Sequence, residues 1–271
     1  MSKSLQPGDR CRASIAKRGT WLAGMALLLG FAPFASAQPG SSTTPPPPPL
    51  DVEGLVVRAK AFYETRDFAA AFPRFQDAAE ANDVEAMMYL GLMYANGEGT
   101  KLNYGQAMTW FRKAAAKGDS QAMCNIGILY YEGLGVERRY DEAMRWFQNA
   151  AVWGHDQAMF NIGVLHRDGL GVPVNYAEAM KWFREAADAS NDRAMNSIGV
   201  MYENGQGIPA DYGEAMNWYS KAADEGNSEA MHNIGSLYEK GLGVPKDEDE
   251  ARKWYRKAEG GAEGEKGPAA Q

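Results

Sequence analysis

The pair Ala-Met stands at Ala86, Ala122, Ala158, Ala194 and Ala230, 36 residues apart each time, with no insertion or deletion between copies. A constant period of this length marks a linear array, in which one supersecondary unit cannot bury its apolar face alone and does so against the next copy. The apolar spacing inside each copy is helical, so the expected fold class is all-α, one helical hairpin per copy.

In the first helix of each hairpin, Gly91, Gly127, Gly163, Gly199 and Gly235 stand where a side chain would hold the neighbouring helix away. Tyr94, Tyr130, Tyr202 and Tyr238 follow three residues later on the same face, with His166 in that place in the third copy. The loop glycines come in pairs, Gly97/Gly99, Gly133/Gly135, Gly169/Gly171, Gly205/Gly207 and Gly241/Gly243. They fit a helix that ends in a left-handed residue and turns tightly, a conformation that a β-carbon resists. A phosphate cradle would need a preceding strand and a Lys-Ser/Thr step, and Gly97 to Lys101 supplies neither. Asn103, Asn175, Asp211 and Asp247 open the second helix, with Gln106, Glu178, Glu214 and Glu250 three residues on, the spacing of a capping box; in the second copy Arg139 takes the cap ahead of Glu142. The doublets Trp110-Phe111, Trp146-Phe147, Trp182-Phe183, Trp218-Tyr219 and Trp254-Tyr255, each followed by a small-residue pair such as Ala114-Ala115, read as packing core.

These residues resemble the Sel-one-like repeat family, a variant of the tetratricopeptide repeat with a longer loop between its two helices. The resemblance implies a right-handed α-solenoid of stacked antiparallel helix hairpins, with repeats at 86–121, 122–157, 158–193, 194–229 and 230–259. Residues 51–85 look like one shorter tetratricopeptide hairpin, in which Ala71, Phe75, Ala78 and Ala79 keep the second-helix register but the Gly-x-Gly loop is missing. The last copy reads as a terminal cap: Met108, Met144, Met180 and Met216 give way to Arg252, and the second Ala of the Ala-Ala pair becomes Glu259. An outer face left apolar would invite aggregation.

Outside the array, residues 1–37 read as a secretory signal peptide, with Lys3, Arg10, Arg12, Lys17 and Arg18 ahead of a short apolar stretch and the small-residue step Ala35-Ser36-Ala37. Residues 38–50 form an uncharged proline-rich linker, and 260–271 a tail too poor in apolar residues to fold. Loss of the leader leaves 23 basic against 34 acidic residues, a net charge of −11. That charge disfavours nucleic acid and anionic lipid, and no membrane insertion is expected once the signal is cleaved. Cys11 leaves with the leader and Cys124 remains alone, so no internal disulfide is available and Cys124 reads as a small buried hydrophobe. The expected location is periplasmic or secreted.

No constellation for catalysis, metal or cofactor emerges: His155, His166 and His232 fall in different copies, none in a His-x-x-x-His arrangement. The expectation is therefore a non-enzyme without cofactor that binds a protein partner. The resemblance implies a concave groove lined by the first helices. There Asn125, Asn161 and Asn233 would hold the main chain of an extended partner segment, since an amide offers both donor and acceptor. Phe160, Asn196 and His232, at the more variable neighbouring position, would read its side chains. The competing reading gives the asparagines a purely structural bond to the adjacent helix. The family implies roles such as regulating an envelope sensor or assembling an envelope complex. The alternative function is a cell-wall or polysaccharide-binding protein, for which Trp153 is the one Trp after the leader outside the repeated doublets.

Overall fold

A computed structural model describes residues 51–260. The expected signal segment, the proline linker and the tail beyond Gly260 lie outside the described residues. Among the described residues no helix is long and apolar enough to cross a membrane. The chain divides into two compact units, one ending at Leu102 and one beginning at Asn103.

The described part of the first unit is α1 (Val52–Glu64), α2 (Phe68–Glu80) and α3 (Val84–Asn96), packed in sequence. Ala71, Phe75, Ala78 and Ala79 are buried, and the Phe75 ring stacks on Tyr89 at 4.7 Å between centroids. The α1–α2 connection is short and turns through Arg66 at φ 61°, a left-handed residue where the later copies use glycine. Pro73 stands inside α2, and the Arg74 guanidinium reaches back to the Ala70 carbonyl at 2.7 Å. The proline has no N–H to give to the carbonyl four residues earlier, that of Ala69, and so interrupts the ladder there.

The second unit runs α4 (Tyr104–Ala115), α5 (Ser120–Glu132), α6 (Tyr140–Ala151), α7 (Asp156–Asp168), α8 (Tyr176–Asp188), α9 (Asp192–Asn204), α10 (Tyr212–Asp224), α11 (Ser228–Lys240) and α12 (Glu248–Ala258). Each helix packs on the next, the arrangement of stacked hairpins. The pairing inside a hairpin is set by a ring against a glycine: a Cβ at Gly127 would lie 2.5 Å from the Phe147 ring, and one at Gly163 2.5 Å from the Phe183 ring. Phe111, Phe147, Phe183 and Tyr219 are buried to 1% exposure or less, so they have no room to withdraw.

The loop glycines carry two separate tasks. Gly169 caps α7 at φ 68°, and both its N–H and that of Leu170 donate to the Leu165 carbonyl, closing orphan acceptors of the helix end. Gly171 meets the preceding hairpin, since a Cβ there would stand 2.7 Å from Cβ of Tyr140 at the start of α6. One glycine therefore ends the helix and the other lets the loop settle on the neighbouring copy.

Two expectations need correction. The capping box is only half formed: Asn175 Oδ1 accepts from the Glu178 N–H at 3.1 Å, but the Asn175 N–H donates to the His166 carbonyl at 2.8 Å, so the glutamate has nothing to reach back for. Arg139, Asp211 and Asp247 likewise give their N–H to Tyr130, Tyr202 and Tyr238. The Trp-aromatic doublets are not uniformly core. Adjacent residues on a helix point about 100° apart, so the second ring is buried whereas Trp110, Trp146, Trp182 and Trp218 are only half-buried. Lys113 and Lys221 lie over Trp110 and Trp218 at 3.8 and 4.1 Å from the ring centroids, covering the flanks with a solvated cation. In the last doublet both Trp254 and Tyr255 are half-buried, and Arg252 and Glu259 are exposed.

A further regularity, not anticipated from the sequence, lies in the turns that link successive hairpins. Gly118, Gly154 and Gly226 hold φ of 92°, 74° and 86°, and the equivalent Ser190 holds 62°. A left-handed conformation costs a β-carbon-bearing residue about 1–2 kcal/mol. Ser190→Gly is therefore expected to stabilise the protein by about 1 kcal/mol, partly offset by the freedom that glycine gains when unfolded. A rise in the urea midpoint at constant slope checks this, and an unchanged midpoint refutes it.

Candidate functional site: the first-helix face

Neighbouring first helices of the second unit are tied by a polar ladder that begins at their caps. Asp119, His155, Asn191 and Asn227 accept from the N–H of Ala122, Ala158, Ala194 and Ala230 at 2.6, 3.3, 2.9 and 2.8 Å. These caps, three residues ahead of each Ala-Met, recur in the sequence at the repeat spacing and were not singled out there. Two of them also reach across: Asn191 Nδ2 donates to Asp156 Oδ2 at 2.8 Å and Asn227 Nδ2 to Asp192 Oδ2 at 2.9 Å, each on the preceding first helix. Asparagine suits this place because one amide supplies the acceptor for its own helix and the donor for its neighbour.

One turn further along, the ladder changes character between copies. On α5, Gln121 Nε2 donates to Asn125 Oδ1 at 3.3 Å, while Gln121 Oε1 faces His155 Nε2 of α7 at 3.2 Å. On α7, Gln157 Nε2 donates to Asn161 Oδ1 at 3.1 Å, while Gln157 Oε1 accepts from Arg193 Nη1 of α9 at 3.4 Å. The Nδ2 groups of Asn125 and Asn161 are buried without a hydrogen-bond partner, in residues only 1% and 3% exposed. A buried donor left in this state costs about 1–3 kcal/mol. On α9 and α11 the amides are satisfied: Asn196 Nδ2 donates to Glu229 Oε2 at 3.3 Å, and Asn233 Nδ2 to Asn196 Oδ1 at 2.9 Å.

The six residues expected to bind are thus not one uniform surface. Asn196 and Asn233 meet each other, whereas Asn125 and Asn161 each rest on the glutamine four residues earlier on their own helix. Phe160 is buried under the Arg193 guanidinium, 4.6 Å from the ring centroid, and 5.7 Å from the Phe183 ring. His232 is exposed, its ring 5.5 Å from that of Tyr255 on α12. Of the other two histidines, His155 is a helix cap, a role absent from the sequence reading, and His166 takes the place of the repeated Tyr. Cys124 is fully buried.

In the last two hairpins a carboxylate of the first helix meets a phenol of the second. Glu203 accepts from the Tyr219 hydroxyl at 2.6 Å and Glu239 from the Tyr255 hydroxyl at 3.0 Å. Burial first, and the carboxylate second, raise both phenols, Tyr255 to about 12 and Tyr219 further. Among the described residues no group of three or more His, Cys, Asp and Glu side chains could hold a metal ion. Chemically the arrangement offers hydrogen-bond donors and acidic acceptors on a rigid scaffold, suited to holding a ligand.

The Sel1 repeat family profile matches residues 84–119, 120–151, 156–191, 192–227 and 228–259. No curated protein matches the sequence significantly. Among solved structures, a Sel1 repeat protein from Oxalobacter formigenes is similar at TM-score 0.71 and 30% identity, over 75% of this chain and 83% of that one. A protective antigen of uropathogenic Escherichia coli strains, displaying an SLR fold, is similar at TM-score 0.68 and 31% identity over 78% of this chain, which spans only 46% of that protein. An immunity protein from Pseudomonas aeruginosa shares the fold at TM-score 0.55 and 16% identity, over 75% of this chain and 81% of that one.

Proposed function

This chain belongs to the Sel1 repeat family, and we propose that it is an exported scaffold that holds an extended segment of a protein partner against its first-helix face. Sel1 repeat proteins are generally protein-interaction scaffolds, and the fold is typically non-enzymatic. Export rests on the basic leader, the short apolar stretch and the Ala35-Ser36-Ala37 step. An envelope role, in regulating a sensor or assembling a complex, follows from that location and from the family.

The observation that carries the reading is the pair of unsatisfied amide donors at Asn125 and Asn161, on successive first helices of an array otherwise rich in paired amides. Their burial means that a partner segment has to press into this face rather than lie over it. Asn233 and Asn196 continue the row, Phe160 and Arg193 flank it, and His232 stands exposed at its far end. The test is capture of envelope proteins by the immobilised mature chain and by the variant Asn125→Ala/Asn161→Ala/Asn233→Ala. The variant is expected to lose its partner by about tenfold or more in affinity, the worth of one or two hydrogen bonds, while melting within a few degrees of the parent. Unchanged capture with a lowered melting temperature would assign the asparagines to the helix stack and end this reading.

One observation favours the polysaccharide reading. Val152 and Trp153 are 85% and 66% exposed in the α6–α7 turn, where the other hairpins carry Ala116-Lys117, Ala189 or Glu225. Stacking does not require that pair, since the other copies stack without it. Retention of the mature chain on peptidoglycan, abolished by Trp153→Ala and untouched by the triple asparagine variant, would move the function to this turn.

A further inference from the structure

We propose that Gln121 and Gln157 are positioning residues that engage the Oδ1 atoms of Asn125 and Asn161 and so leave their buried amide donors unspent, so that the partner segment is gripped through two of its main-chain carbonyls one hairpin apart. The inference rests on the first-helix reading above and adds to it which hairpins grip, with which polarity, and what the ligand must present.

The polarity follows from hydrogen-bond chemistry. His155 Nδ1 accepts from the Ala158 N–H, so the ring proton sits on Nε2. The Gln121 atom facing Nε2 must then be the carbonyl oxygen, which turns the Gln121 NH2 toward Asn125 and obliges Asn125 to answer with Oδ1. Only the Asn125 NH2 is left over. Arg193 enforces the same order one hairpin later, because a guanidinium can only donate: Gln157 gives it Oε1, offers NH2 to Asn161 Oδ1, and the Asn161 NH2 is left over. Each orientation is therefore locked from the following first helix.

The later hairpins cannot join the grip. Arg193 and Glu229 stand where Gln121 and Gln157 stand in the earlier copies. Glu229, an acceptor, draws the Asn196 NH2, and the freed Asn196 Oδ1 consumes the Asn233 NH2. Of these four asparagines, only those on α5 and α7 thus keep an open donor. Packed helices lie about 8–10 Å apart and an extended chain rises about 3.3 Å per residue, so the two acceptors fall about three residues apart. Main-chain carbonyls meet this demand at every residue whatever the side chain. A saccharide hydroxyl turns to suit either polarity and would gain nothing from the lock.

The test reverses the polarity without emptying the site. In Gln121→Glu/Gln157→Glu the new carboxylates face His155 Nε2–H, Arg193 and the two asparagines, all able to donate, so the fold is expected to hold and the melting temperature to stay level or rise. Each asparagine then gives its NH2 to the new carboxylate and leaves Oδ1 for the ligand. The probe is an array of short unstructured peptides incubated with the mature chain; the strongest binder is resynthesised with single amide-to-ester replacements, which weaken one carbonyl acceptor at a time. The expected result is a loss of about tenfold in affinity in the glutamate variant, and a matching loss at two ester positions about three residues apart. Peptide binding that is abolished by the triple asparagine variant but equal in the glutamate variant and the parent would overturn the positioning role and leave the binding reading intact. Binding that is indifferent to both variants would overturn both.

Discussion

Phe183→Ala is expected to lower stability by about 4 kcal/mol, the upper range for removing a large aromatic side chain from a closed core. The ring is fully buried between α7 and α8, with Phe160 at 5.7 Å and the glycine of its own hairpin in direct contact. Gly163→Ala alone is expected to destabilise by about 2 kcal/mol, because its methyl would arrive 2.5 Å from a ring that cannot withdraw. In the Phe183→Ala background the sign should reverse. The methyl then enters the space the ring has left, and alanine exceeds glycine in helix propensity by about 1 kcal/mol. Urea midpoints of the four proteins of this cycle decide it. If Gly163→Ala destabilises equally with and without the ring, the glycine is needed for backbone conformation or for another neighbour, and the ring-on-glycine account of hairpin pairing is wrong.

The ring and the glycine were legible in the sequence because every hairpin must solve the same packing problem, so the answer recurs at the repeat period. The half-exposed tryptophans were misjudged for a related reason. Recurrence shows that a residue matters to each copy and does not show which way it points; the angle between neighbours on a helix does, and it separates Trp182 from Phe183. The half-formed capping boxes were hidden because the N–H of Asn175 finds its acceptor nine residues earlier on another helix, which no local pattern encodes. Asp119, Asn191 and Asn227 could have been identified as caps from their register, and His155 with them, although histidine is an uncommon cap. The open donors of Asn125 and Asn161 were beyond reach in a stricter sense. Both asparagines are visible in the repeat, but which end of each amide is free depends on the tautomer of His155 and on a guanidinium 32 residues after Asn161. A pattern can mark where an amide stands; its polarity is set by contacts between copies.

Tyr219 carries the second large effect, and the repeat explains why a hydroxyl is tolerated there. The equivalent rings Phe147 and Phe183 face copies with Tyr131 and Arg167 sixteen residues earlier, whereas Tyr219 and Tyr255 come with Glu203 and Glu239 at that distance. Hydroxyl and carboxylate thus enter together, and Tyr219 is fully buried with its O–H donating to Glu203 at 2.6 Å. Tyr219→Phe is expected to cost about 1.5–3 kcal/mol at neutral pH, the range for a hydrogen bond to a charged group, since the Glu203 carboxylate loses its donor. At alkaline pH the ranking should narrow. Burial and the carboxylate hold the folded phenol far above its ordinary value, while in the unfolded chain it ionises near pH 10. The folded state therefore retains a proton that the unfolded state gives up. The stabilisation is complete below about pH 10 and is lost as pH rises toward the folded value, at about 1.4 kcal/mol per pH unit for one group. By about pH 11 the parent should have lost about 1.4 kcal/mol that Tyr219→Phe cannot lose. Tyr255, whose phenol lies at about 12, remains in both proteins and gives each the same additional decline over this range. Urea midpoints of parent and variant measured from neutral pH to about pH 11 should converge. Parallel curves would mean that the Tyr219 phenol ionises as freely in the folded array as outside it, which a ring closed between two helices against a carboxylate does not permit.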